Sequence, residues 1–197
     1  MLLHIKKFSE KLLTPLGKKL IKIPANYFTI LGLFSSIATF FGFLYQYLLI
    51  SIIFLFIIEF FDQLDGVVAR LQGPTKFGAF LDSTLDRIGD FFIFTGVYFG
   101  GYTSIEISFI VLLGAFLTSY TRAKIEALGV NDLYGIGLLE RTDRIPILLI
   151  GSVFQIWFHK AIFWTMIVLA IGTFFTVIQR IIYAYKKFSK EKKEEII

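Results

Sequence analysis

The chain has 197 residues, of which 56% are hydrophobic and 24 are Phe, and its 20 Lys and Arg outnumber its 15 Asp and Glu. With a mean hydropathy of +0.73, this composition excludes an ordinary soluble domain and indicates a membrane protein. The absence of Cys excludes disulfides, thiolate nucleophiles and Cys-ligated zinc, and with only two His any metal ligands must be mostly oxygen.

The first predicted element is an amphipathic helix over residues 4–20. Its apolar residues recur at helical spacing with five lysines among them, a pattern typical of helices that lie in the membrane interface against anionic headgroups. The start of the chain lacks an apolar region followed by a small-residue cleavage site, so we expect no cleaved signal peptide.

Six apolar stretches follow, each close to the roughly 20 residues that a helix needs to cross the hydrocarbon. The predicted fold is an all-α integral membrane protein of one domain, residues 1–197. The fifth span is expected to be short and to open near Pro146, because proline is tolerated in a first helical turn. A charged tail, residues 186–197, is expected to extend the last helix into water. The six predicted spans are residues 27–46, 48–70, 77–100, 104–127, 143–158 and 161–184.

Basic residues divide unequally between the two ends of these spans. If both termini lie on one side, that side holds every Lys and Arg except Lys160. The positive-inside rule then places the termini in the cytoplasm, in a protein of the cell membrane. Polybasic segments attract anionic lipid headgroups, so we expect membrane lipids, and no nucleic acid, as the partners of this surplus charge.

The most informative segment lies where the second predicted span ends and the third begins. It reads Asp62-Gln-Leu-Asp65-Gly66-Val-Val-Ala69-Arg70 and, after seven residues, Gly78-Ala-Phe-Leu-Asp82-Ser-Thr-Leu-Asp86. Residues three or four apart share a helix face, so Asp62 and Asp65 project together, as do Asp82 and Asp86. Ionisable side chains at this depth cost a few kcal/mol each and repel one another unless cations neutralise them. The segment therefore predicts a divalent metal site on the cytoplasmic side.

Several carboxylates beside small residues suit Mg²⁺ or Mn²⁺, which share their ligands with substrate phosphates. Two such ions can hold a pyrophosphate for in-line attack, and Gly66 and Gly78 leave the backbone open to a phosphate. Taken alone, the aspartates leave two alternatives open: a structural acidic cluster, and the pathway of a divalent-cation transporter. A transporter predicts carboxylates spread along the membrane depth, whereas these cluster at one end.

A second group of charged residues lies between the fourth and fifth predicted spans. Arg clusters bind phosphate bidentately and Lys adds a point charge, so this group suggests a phosphorylated acceptor. The alternatives are ordinary positive-inside loop charges, or internal ion pairs such as Glu140 with Arg144. Asp90 is expected to be structural and to pair with Arg87. The basic residues expected near the aspartates are Arg122, Lys124, Arg141, Arg144 and, on the last span, Arg180.

The aspartate segment resembles the signature of the CDP-alcohol phosphotransferase family, membrane enzymes that move a substituted phosphate from a CDP-linked donor to an alcohol and release CMP. The resemblance implies that Asp62, Asp65, Asp82 and Asp86 ligate two metal ions, and that Asp86 is also the base that takes the acceptor's proton. It also implies a homodimer. The residues that it implies for CDP-lipid binding are Asn26, Tyr27, Phe28, Thr29, Asp62, Gly66, Arg70 and Thr75.

The stretch from Ser119 to Gly129, the Glu140-Arg-x-x-Arg144 element and the Gln179-Arg180 pair resemble one branch of this family. That branch transfers to inositol 1-phosphate and makes phosphatidylinositol phosphate or archaetidylinositol phosphate. A Gly-Lys-x-Lys-Thr element, typical of glycerophosphate-using relatives, is absent; glycerol 3-phosphate is the alternative acceptor. The sequence does not distinguish an archaeol from a diacylglycerol donor. The residues implied for the acceptor phosphate are Ser119, Arg122, Lys124, Arg144 and Arg180.

Overall fold

A computed structural model describes residues 12–130, 133 and 136–194 of the chain. These residues form seven helices and no strand, as the all-α prediction requires. The helices are α1 (residues 12–19), α2 (Ala25–Leu44), α3 (Leu48–Gln72), α4 (Lys76–Phe99), α5 (Ile105–Ala127), α6 (Arg141–Phe154) and α7 (Ala161–Glu194).

Each of the six predicted spans corresponds to one helix from α2 to α7. By length and composition, α2, α5 and the Ala161–Ser189 part of α7 are apolar enough to cross a membrane. The last helix continues to Glu194, as predicted for the tail, and residues 195–197 lie outside the described part. The predicted interfacial helix is helical over residues 12–19, whereas its first residues, 4–11, also lie outside that part.

Helix α6 opens earlier than expected. It begins at Arg141, so Pro146 lies inside the helix and not in its first turn. The reason is a cap: the carboxylate of Asp143 accepts a hydrogen bond from the backbone N–H of Glu140 at 3.0 Å, which satisfies a donor at the helix start. At 14 residues, α6 is about 21 Å long.

Apolar side chains fill the space between the helices. One buried cluster takes residues from all six long helices, among them Phe43 of α2, Phe94 of α4 and Met166 of α7. Large apolar side chains also cover the outer surfaces, as with Phe34 and Phe56, which are each 62% exposed. Exposed apolar surface on this scale marks a face that contacts lipid or another protein.

Helix α7 packs closely against α5 and α6 through small residues. A Cβ added at Gly114 of α5 would overlap the side chain of Thr173, and one added at Gly151 of α6 would overlap Thr165. Small residues allow two membrane helices to approach until their backbones nearly touch. This packing fixes α6, whose first turn carries Arg141 and Arg144.

The end of α3 determines where α2 begins. The side-chain amide of Gln72 donates to the carbonyl oxygens of Ile21 at 2.8 Å and Ile23 at 2.7 Å, and its oxygen accepts from the N–H of Ala25 at 3.2 Å. These three hydrogen bonds tie the α1–α2 connection to α3. The first turn of α2 is thereby held beside the aspartate segment.

Candidate metal and substrate site

Three of the four predicted carboxylates meet in one place. Asp62 extends from α3, and Asp82 and Asp86 extend from α4; one oxygen atom of each lies within 4.8 Å of the other two. The four-residue spacing puts both α4 carboxylates on one helix face, and α3, which packs with α4 against α2, brings the third. All three are only partly buried, so hard oxygen ligands of the kind that Mg²⁺ and Mn²⁺ prefer are accessible there.

Asp65 lies one turn further along α3 and is more buried, at 7% exposure. Its carboxylate lines the same small cavity as Asp62 and Asp86, with Thr29 of α2 beside it. The structure therefore places Asp65 at the wall of the site, next to the group of three. The remaining residues around this cavity are Phe28, Gly32, Leu33, Ser36, Ile58, Leu85 and Arg141.

Arg141, the first residue of α6, reaches into the carboxylate cluster. Its Nη1 donates to Oδ1 of Asp62, and its Nη2 lies 2.7 Å from Oδ1 of Asp86. One guanidinium thus bridges carboxylates from two helices. The sequence predicts Arg141 near the aspartates, in a basic group suited to an acceptor phosphate, but it does not predict this contact with the carboxylates. The signal was present, because Arg141 and Arg144 are three residues apart at the start of a helix and share a face.

Arg144, one turn further into α6, is fully buried and pairs with Asp90 of α4. The distance from Arg144 Nη2 to Asp90 Oδ2 is 2.7 Å. The expected pairing of Asp90 with Arg87 is therefore wrong; Arg87 Nη1 lies 3.6 Å from Oδ2 of Asp86. Asp90 is 4% exposed, and a carboxylate buried to that degree needs a cation that is buried with it, whereas Arg87 remains partly exposed.

Glu140 is the centre of a second group of charges. Arg180 Nη2 donates to its Oε1 at 2.7 Å, and Arg122 Nη1 lies 3.9 Å from its Oε2. Arg180 is 1% exposed and also donates to the carbonyl oxygens of Ile136, at 3.0 Å, and Thr118. The alternative pairing of Glu140 with Arg144 is wrong. Arg180 links α7 to α5 and to the segment before α6.

The five residues implied for the acceptor phosphate do not form one enclosed group. Arg122 and Arg180 share Glu140, and Arg144 is held by Asp90. On α5, Ser119 is half-buried and Lys124 is exposed. Binding of an acceptor phosphate by these residues stays a prediction.

The residues implied for the CDP-lipid gather where α2, α3 and α4 meet. A Cβ added at Gly78 would lie 3.0 Å from Oγ1 of Thr75 and 3.3 Å from Oδ1 of Asn26. Thr75 caps α4, since its hydroxyl accepts a hydrogen bond from the N–H of Gly78 at 3.0 Å. Gly73, with φ of +91°, ends α3 in a conformation that other residues rarely adopt and turns the chain into α4.

The first turn of α2 presents its side chains in different directions. Tyr27 is 61% exposed, whereas Phe28 is buried in a cluster that includes Leu64 and Val68 of α3. Thr29 is buried at the cavity of the aspartates. Only some of the side chains implied for CDP-lipid binding on α2 therefore face the site.

Gly66 leaves the surface of α3 open beside the aspartates. The nearest atoms to a Cβ added there are the guanidinium nitrogens of Arg70, at 3.5 and 3.9 Å. Arg70 itself is exposed. A ligand can therefore approach the backbone of α3 at this point, with the exposed guanidinium of Arg70 beside it.

These features define an all-helical integral membrane protein in which carboxylates from two consecutive helices of the chain meet at one site. A family model described as CDP-alcohol phosphatidyltransferase matches residues 22–178. The chain belongs to this family. The resemblance found in the aspartate segment is confirmed, and membership favours a transferase over a cation transporter.

Particular relatives are similar over nearly the whole chain. Archaetidylinositol phosphate synthase of Methanothermobacter thermautotrophicus is 36% identical over 192 residues, which cover 95% of each chain. The crystal structure of Mycobacterium tuberculosis phosphatidylinositol phosphate synthase with CDP-DAG bound matches with a TM-score of 0.77 and 28% identity, over 89% of this chain and 94% of that chain. The same enzyme in complex with manganese and citrate matches with a TM-score of 0.76 and 30% identity, over 87% and 88%.

Proposed function

We propose that this protein transfers a lipid-linked phosphate from a CDP-lipid to a hydroxyl of inositol 1-phosphate and releases CMP, with Mg²⁺ or Mn²⁺ as cofactor. The observation that carries the proposal is the meeting of Asp62, Asp82 and Asp86 within 4.8 Å in a chain of this family. The choice of acceptor is supported by the 36% identity to an archaetidylinositol phosphate synthase over 95% of both chains.

In the proposed reaction, Asp86 accepts the proton of the acceptor hydroxyl. The hydroxyl oxygen forms a bond to the β-phosphorus of the CDP-lipid, the bond from that phosphorus to the CMP oxygen breaks, and CMP leaves with the electron pair. Two divalent ions held by Asp62, Asp65, Asp82 and Asp86 would neutralise charge on the pyrophosphate and on the departing CMP. The manganese complex of the relative from M. tuberculosis supports a divalent cofactor.

The proposed donor site runs from the start of α2 across the ends of α3 and α4. Its side chains are those of Asn26, Thr29, Asp62, Arg70 and Thr75, beside the open backbone at Gly66. Because Phe28 packs against α3, it would act through its backbone N–H in the first helical turn, where N–H groups favour anions. The N–H of Tyr27 already donates to the carbonyl oxygen of Pro24 at 3.0 Å, so Tyr27 would act through its exposed side chain.

Gly66 provides a test of the donor site. Gly66→Ala is expected to raise the KM for the CDP-lipid by about tenfold or more, a loss of at least about 1.4 kcal/mol of binding, because its methyl group occupies the surface that the donor approaches. Stability should be retained or slightly increased, since a Cβ at Gly66 meets only the end of Arg70 and Ala favours a helix over Gly. Steady-state kinetics and thermal unfolding measure the two effects.

Gly96→Ala is the matched control for this substitution. A Cβ at Gly96 would lie 2.8 Å from Cα of Phe40, and neither residue lines the cavity of the aspartates, so this variant should lose stability and keep its KM for the donor. An unchanged KM in Gly66→Ala would contradict the proposed donor site.

The proposed acceptor site comprises Ser119, Arg122, Lys124, Arg144 and Arg180. Arg144 would donate hydrogen bonds to a phosphate through Nε and Nη1, because these two buried atoms have no partner among the described residues. Arg122 and Arg180 would bind a phosphate in competition with Glu140, which now holds both. Lys124 is exposed and would add charge at the edge.

The acceptor is tested by measuring CMP release from purified protein with Mg²⁺ and a CDP-linked lipid. CDP-archaeol and CDP-diacylglycerol are each offered with inositol 1-phosphate, glycerol 3-phosphate, free inositol and serine. We expect more release with inositol 1-phosphate than with free inositol or serine, because the basic residues match an acceptor that bears a phosphate. The similarity to an archaetidylinositol phosphate synthase supports inositol 1-phosphate over glycerol 3-phosphate. Preference for glycerol 3-phosphate would overturn the acceptor assignment and leave the family chemistry in place.

We further propose that all six helices from α2 to α7 cross the membrane, with α1 at the interface and the termini and site in the cytoplasm. The apolar outer surfaces of these helices support this arrangement, as does the position of Lys160 alone among Lys and Arg at the opposite end. By resemblance to the family, the active form is a homodimer with one site in each protomer.

A further inference from the structure

Arg141 holds the two carboxylates that come from different helices. Its Nη1 donates to Asp62 and its Nη2 lies 2.7 Å from Asp86. Asp62, Asp86 and Asp82 are the three residues whose oxygen atoms lie within 4.8 Å of one another. The side chains of Asp62, Asp86 and Arg141 are 24%, 12% and 19% exposed, so water screens the contact only in part.

The guanidinium of Arg141 and a divalent cation would compete for the carboxylates of Asp62 and Asp86. A cation that took the Oδ1 atoms of Asp62 and Asp86 would compete with Arg141 for the electron pairs of these oxygens. A cation that took the other two oxygens would lie within a few ångströms of the positive charge of Arg141, and like charges repel in a site that water screens only in part. By either route, Arg141 weakens cation binding.

The same contact stabilises the protein before a cation binds. Carboxylates this close together repel one another, and charge-assisted hydrogen bonds from one bridging guanidinium offset that repulsion. The location of Arg141 supports this stabilising role. Arg141 is the first residue of α6, and the capped first turn directs its side chain towards α3 and α4.

We propose that Arg141 is an internal competitor of the divalent cation, which neutralises Asp62 and Asp86 in the unloaded protein and gives up at least one of them when the cation binds. This inference rests on the metal site of the proposed function. It assigns Arg141 a positioning role that opposes metal binding, whereas an arginine that only organised the ligands would strengthen metal binding.

The experiment measures Mn²⁺ binding to the full-length protein in detergent, after removal of bound metal with a chelator and without nucleotide. The electron paramagnetic resonance signal of free Mn²⁺ gives the dissociation constant. We expect Arg141→Gln to lower this constant by about tenfold or more and, in the metal-free protein, to lower the melting temperature by several degrees. Arg141→Lys, which keeps the charge but cannot bridge in the same way, should lie between wild type and Arg141→Gln in both measurements.

Arg87→Gln is the matched control, because Arg87 also lies near Asp86, at 3.6 Å, but makes no bridge to Asp62. It removes the same charge and should change the Mn²⁺ affinity clearly less. An unchanged or weaker affinity in Arg141→Gln, with measurable binding in the wild type, would overturn the competitor role alone. Absence of Mn²⁺ binding in the wild type would overturn the metal site of the proposed function, and the competitor role with it.

Discussion

Asp86→Asn is expected to reduce CMP release at least about a thousandfold while the protein stays folded. General-base catalysis alone contributes about 10² to 10⁴ in rate, and the amide is also a poorer ligand for a divalent cation. The fold should survive, because Asn has the size of Asp and the change removes one charge from a crowded acidic cluster. CMP release and thermal unfolding of the purified variant measure the two effects.

Thr84→Ala is a suitable control for Asp86→Asn. Thr84 lies on the same helix but is exposed, and its hydroxyl donates to the carbonyl oxygen of Phe80 at 2.8 Å. Its replacement should leave turnover close to that of the wild type. Normal turnover in Asp86→Asn would remove this residue as the base and as an essential ligand.

The sequence predicts the helices well because their signals are local. Apolar length and helical spacing place α2 to α6 and the start of α7 within a few residues of their observed bounds, and the spacing of Asp82 and Asp86 predicts their common face. The apolar pattern does not predict the start of α6, because that boundary depends on the capping contact between Glu140 and Asp143. Pro146 is easier to recognise in the sequence than this cap, but it does not determine where α6 begins.

The ion pairs could not be predicted in the same way. Arg87, Arg141 and Arg144 are all plausible partners for Asp90 by charge, and the choice depends on how α6 is rotated against α4. That rotation follows from close packing at glycines such as Gly151. The spacing of residues along the sequence does not predict this packing. The directions of Tyr27 and Phe28 similarly depend on where α2 packs against α3.

The pair of Asp90 and Arg144 is expected to give the largest effect on stability. Asp90→Ala leaves the guanidinium of Arg144 buried without a counter-charge, and removal of one partner of a buried pair costs about 3 to 5 kcal/mol. Arg144→Met is expected to cost a similar amount, because it leaves the carboxylate of Asp90 buried without its cation. Thermal or denaturant unfolding of both variants compares the two costs.

The double variant Asp90→Ala with Arg144→Met separates the structural role of Arg144 from its proposed role in acceptor binding. It removes both charges together, so most of the stability lost in Asp90→Ala should return. The KM for inositol 1-phosphate should nevertheless stay raised, by about tenfold, because the donors Nε and Nη1 of Arg144 are gone. If restored stability came with a wild-type KM, Arg144 would serve only to neutralise Asp90, and the acceptor phosphate would have to be bound by the residues around Glu140.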